Sequence, residues 1–138
     1  MIATGSLAPH FIGGDWQRGQ SNDFMEVVNP ATAEVLASVP LAGAAEVDAA
    51  VSAAHEAFPG WRRTPPQDRI QFLFRFKALL EQHAGEIARL ITQENGKTLA
   101  ESRAELQRSI ENVEVSCGIP SLMQGYNWKT WPRASMKS

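Results

Sequence analysis

Cysteine occurs once in this sequence, at Cys117, so an internal disulfide is excluded and a reducing compartment is favoured. The three histidines, His10, His55 and His83, stand far apart with no second ligand at metal spacing, which excludes a sequence-coded zinc site. No stretch approaches the roughly 18 consecutive apolar residues of a membrane span. Met1 to Ile12 has neither a basic start nor an apolar run of leader length, so the expected location is the cytoplasm. The formal net charge of −2 gives no general case for nucleic acid. No G-x-G-x-x-G occurs, and Gly96-Lys97-Thr98 only imitates the end of a phosphate loop. The first glycine of that motif would fall at Ile91, after a helix instead of a strand.

What is present is ordinary for a soluble fold: 43% hydrophobic and 20% charged residues over 138 positions, enough for one domain-sized core. His10 to Trp16 reads as a short strand and glycine-rich turn, Met25 to Asn29 as a strand halted by Asn29-Pro30, and Val35 to Pro40 as a third strand. From Ala44 the period changes to three and four. Val47, Val51, Ala54 and Phe58 share a helix face that Pro59-Gly60 is expected to end. A second helix opens at Pro66 and carries Ile70, Leu73, Phe74, Lys77 and Leu80, and a third with Ile87, Leu90 and Ile91 stops at Asn95-Gly96. Thr98 and Glu101 fit a capping box that starts a fourth helix, with Leu99, Leu106, Ile110, Val113 and Cys117 on one face until Gly118 and Pro120. The fold class is therefore α/β, a three-strand meander followed by four helices.

Three motifs stand in an order that identifies a family. Asn29-Pro30-Ala31-Thr32 is followed by the alanine-rich helix ending Phe58-Pro59-Gly60-Trp61, and then by Glu94-Asn95-Gly96-Lys97-Thr98-Leu99. Together they resemble the beginning of the nucleotide-binding domain of the aldehyde dehydrogenases, over Phe11 to about Asn127. Within that superfamily, Ile110-Glu111-Asn112-Val113-Glu114, followed by Cys117-Gly118-Ile119-Pro120, resembles the CoA-acylating branch that acts on methylmalonate and malonate semialdehydes.

Trp128 to Ser138 differs in character. It holds two of the four tryptophans, three of the 13 basic residues and none of the 15 acids, leaving −5 before it and +3 within it. One reading is a basic, aromatic tail that docks on nucleic acid or an anionic membrane surface, but three charges attach weakly. The family's usual continuation, Leu-Glu-Asp-Val-Ala-Ser-Gly-Ile-Asp-Glu-Val, can be encoded so that losing one base yields the residues seen here. The expected organisation is thus 1–127 as an incomplete part of the NAD-binding domain, with 128–138 out of frame.

The resemblance implies a cysteine thiolate that attacks the aldehyde, hydride transfer to NAD and acyl transfer to CoA, giving propionyl-CoA or acetyl-CoA. Cys117 is not that nucleophile, because its spacing from Ile110 and Val113 puts it on an apolar stripe. The family's catalytic cysteine lies downstream, so no catalytic, cofactor-binding or metal residue is expected in this chain. In the semialdehyde branch an arginine matching Arg108 holds the substrate carboxylate, a task suited to a planar bidentate fork. Arg89 and Arg103 lack that support, and Glu111 and Glu114 read as solvated or helix-pairing acids. The resemblance implies a homo-oligomer binding NAD and CoA at full length, whereas the chain alone is expected to bind neither and to be inactive. The reading from another class is a small helical interaction module with no enzymatic activity, its apolar face binding a partner helix or the full enzyme.

Overall fold

A computed structural model of the chain describes residues 6–125. Five short strands come first: β1 (Ser6–Leu7), β2 (His10–Ile12), β3 (Asp15–Gln17), β4 (Phe24–Val28) and β5 (Val35–Pro40). Five helices follow: α1 (Ala44–Arg63), α2 (Pro66–Gln82), α3 (Ala84–Asn95), α4 (Leu99–Cys117) and α5 (Ile119–Leu122). The three-strand meander resolves differently from expectation. β2 and β3 form a separate hairpin, while β1 joins β5 in parallel and β4 joins it antiparallel. Gly13 and Gly14 both take positive φ, 63° and 95°, as a two-residue primed turn demands.

The turn between β4 and β5 is built by Asn29, whose side-chain oxygen accepts from the Ala31 N–H at 2.9 Å and whose backbone N–H donates to the Glu34 carbonyl at 2.8 Å. Pro30, at its tip, lies against Gly96. That contact ties the strand region to the α3–α4 junction.

α1 runs through Pro59-Gly60 to Arg63, four residues beyond the expected stop. Pro59 forfeits one backbone donor, but the Arg63 guanidinium donates to its carbonyl at 2.9 Å, and the helix ends where Thr64 is held extended before Pro65. α4 ends at Cys117 as expected, yet Pro120 does not terminate helical structure. It occupies the first turn of α5, where a missing N–H costs nothing.

α2 and α3 both pack on α4. At the α3–α4 crossing Ala88 and Ser102 are completely buried, and Ser102 Oγ shares a 2.8 Å hydrogen bond with Thr92 Oγ1. The core is thin. Ala37, Ala88, Leu106, Ile110 and Cys117 are its buried apolar members among the described residues. Ile110, on the expected inner stripe of α4, is buried within the helix bundle. Val51 on α1 remains 62% exposed and Leu73 half-buried, while Phe74 lies outside the α2 stripe at 48% exposure. Trp16, Phe72, Phe76 and Leu79 are also exposed. One full-sized core is therefore not closed by these elements. No helix among the described residues is long and apolar enough to cross a membrane.

Candidate functional site

Arg108 stands midway along α4, two residues from both Leu106 and Ile110 and therefore about 200° around the helix from the buried stripe. It is exposed and forms no ion pair among the described residues. Its nearest intrahelical acids are both engaged elsewhere. Glu105, three residues back, accepts a hydrogen bond from Lys97 Nζ, and Glu111, three residues ahead, accepts from Gln107 Nε2 at 3.2 Å. The Lys97 hydrogen bond, then the lysine's charge, lower the Glu105 pKa from its ordinary 4.5, with Arg108 adding a smaller pull.

The helix bearing Arg108 is capped at its start and tied to α2 near its end. At its start, Thr98 Oγ1 accepts from the Glu101 N–H at 3.3 Å, while the Glu101 carboxylate accepts from the Thr98 hydroxyl at 2.8 Å and its N–H at 2.9 Å. Those two bonds depress the Glu101 carboxyl, the hydroxyl contributing most. Further along, Lys77 of α2 spans to Glu114 at 3.0 Å and to its own helix neighbour Glu81 at 2.6 Å, which raises the lysine above its usual 10.5. Glu114 is thus a helix-pairing acid.

Cys117 is buried at 8% exposure against the bundle, not presented to a cleft. Arg89 and Arg103 are exposed. No group of three or more potential ligands could hold a metal among the described residues. Gly96-Lys97-Thr98 does not form a cradle for the phosphates of the nicotinamide cofactor that the resemblance implies. Gly96-Lys97-Thr98 joins two helices, the Thr98 donors are spent on Glu101, and Lys97 is spent on Glu105. The sequence reading missed this last pair. Its signal was a lysine placed just before the N-cap with an acid two turns into the following helix.

A match to the model of the aldehyde dehydrogenase family spans residues 16–137. The chain belongs to the aldehyde dehydrogenase family. It is 52% identical over 116 residues to malonate-semialdehyde dehydrogenase 3 of Geobacillus kaustophilus, covering 84% of this chain and 24% of that protein. Against the malonate-semialdehyde dehydrogenase of Halalkalibacterium halodurans the identity is 47% over 124 residues, covering 90% and 26%. The crystal structure of methylmalonate-semialdehyde dehydrogenase from Oceanimonas doudoroffii superposes with a TM-score of 0.80 at 47% identity, over 91% of this chain and 25% of that one. A Sinorhizobium meliloti protein described as a methylmalonate-semialdehyde dehydrogenase, solved with NAD, gives 0.79 at 36%, over 88% and 24%. The described strands and helices therefore form an N-terminal portion of the aldehyde dehydrogenase fold. The chain spans about a quarter of the length of the curated relatives it matches. The expected boundary after Asn127 and the out-of-frame tail lie outside the described residues, and the family match runs over most of that tail.

Proposed function

We propose that these residues are the opening part of an NAD-dependent, CoA-acylating dehydrogenase of methylmalonate or malonate semialdehyde, working as a homo-oligomer in the reducing cytoplasm. Arg108 is its receptor for the substrate carboxylate. The observation that carries this reading is the 52% identity to a malonate-semialdehyde dehydrogenase across the stretch that includes α4. The guanidinium of Arg108, which has no acid partner among the described residues, adds to it, since an open fork is available to a carboxyl-bearing aldehyde and useless to a neutral one. In this reading the 138-residue polypeptide alone has no turnover, and 128–138 is the product of a lost base.

The test compares two proteins. The 138-residue chain should give no NAD reduction with malonate semialdehyde, with or without CoA. The product of the frame with one base restored near codon 128 should give CoA-dependent NAD reduction. Turnover by the short chain would contradict the first claim, and a well-folded but inactive longer product would contradict the assignment of function.

A further inference from the structure

On the reading that Arg108 receives the substrate carboxylate, we infer that Lys97 is a positioning residue, which holds Glu105 away from Arg108 and so keeps the guanidinium open to an anionic substrate. An arginine in mid-helix with acids three residues behind and three ahead is placed to pair with either of them. Arg108 has both, Glu105 and Glu111, and pairs with neither. Glu105 is drawn toward the α3–α4 junction by Lys97 Nζ, and Glu111 is occupied by Gln107 Nε2.

The reach of Lys97 is fixed by its neighbours. Gly96 takes φ 77° with Pro30 in the space a side chain would fill, Thr98 caps α4, and the lysine side chain between them is only 27% exposed. Arg108 nevertheless contributes to the depressed carboxyl of Glu105, so the two are within electrostatic range without being in contact. Without Lys97, Glu105 is released to Arg108, whose charge already acts on it from one turn ahead on the same helix. An intramolecular carboxylate then competes with the substrate at high effective concentration.

The test has a spectroscopic arm and a kinetic arm, both in the restored-frame enzyme. Lys97→Met should move the Arg108 Nε–Hε NMR resonance, Lys97→Arg should leave it in place, and adding Glu105→Gln to Lys97→Met should return it. In the enzyme, Lys97→Met should raise KM for malonate semialdehyde roughly two- to five-fold, the range an exposed ion pair can supply. It should leave kcat unchanged, and Glu105→Gln should restore KM. An unmoved resonance, or a raised KM that Glu105→Gln fails to restore, would overturn the inference and reduce Lys97 to a structural role. Failure of the carboxylate reading shows separately, as an Arg108→Leu enzyme that keeps its preference for malonate semialdehyde over propionaldehyde.

Discussion

At Gly96 two demands coincide: a left-handed backbone with φ 77°, and a neighbour, Pro30 Cγ, that an added Cβ would approach to 2.9 Å. Gly96→Ala should therefore destabilise the α3–α4 hairpin by about 1–2 kcal/mol from the backbone alone, with the Pro30 clash adding to it. The measurement is the midpoint for loss of helical signal in urea, and an unchanged midpoint would mean the junction relaxes freely. Arg108 is the residue proposed to receive the substrate carboxylate. In the restored-frame enzyme, Arg108→Leu should cost malonate semialdehyde roughly 2–4 kcal/mol in kcat/KM, the range for truncating a charged hydrogen bond, and cost propionaldehyde little. Equal losses on both aldehydes would make the arginine structural, and no loss would leave it an ordinary exposed side chain.

Among the elements, α4 depends most on local chemistry. Thr98→Ala removes an N-cap and should lower helix stability by about 1 kcal/mol, read as an earlier loss of ellipticity on heating. The carboxyls of Glu46, Glu101 and Glu105 are all depressed from 4.5. For Glu46 the causes are first the Gln20 and then the Gly43 N–H, and for Glu101 and Glu105 they are the Thr98 hydroxyl and the Lys97 ammonium. A depressed folded pKa means that the folded chain resists protonation more than the unfolded one. The stabilisation is thus present above about pH 4.5 and lost as pH falls through the lower folded values. Helical signal should hold from pH 7 to 5 and decline below 4.5, and a decline already complete at pH 5 would contradict the assignment. For Lys77, raised above 10.5, the sign reverses: its contribution is full below that pH and fades as pH climbs through the higher folded value.

These caps were legible in the sequence because they are local. Asn95-Gly96 and Thr98 with Glu101 specify a stop and a start within seven residues, and both stand as read. The strand pairing was not legible, because Ser6 meets Ala37 and Leu7 meets Ser38 across some thirty residues with no pattern shared between them. Pro59 misled because a proline in the last turns of a helix removes one bond without ending the helix when a later Thr64-Pro65 supplies the stop. The role proposed for Arg108 rests only on the family resemblance. Nothing in its spacing distinguishes it from Arg103, and its freedom from Glu105 depends on a lysine in a different segment.

The whole molecule carries more apolar surface than its own elements cover. Val51, Phe58 and Trp61 on α1, with Phe72, Phe76 and Leu79 on α2, remain exposed, and an open groove of about 330 Å³ runs between α2 and α5 beside Trp61, Ile70 and Met123. Patches of this kind normally lie against another element or another protein. The 138-residue chain should therefore show a helical far-UV spectrum, a broad thermal transition and self-association at micromolar concentration. A sharp two-state transition in a monomer would instead favour a self-sufficient interaction module.

The central claim, that these residues open a longer semialdehyde dehydrogenase, is tested most directly by resequencing the gene across the codons for Asn127 and Trp128 and reading onward. With one base restored, the frame should continue as an aldehyde dehydrogenase and reach the family's catalytic cysteine. Confirmed bases with early stop codons in the alternative frame would contradict it.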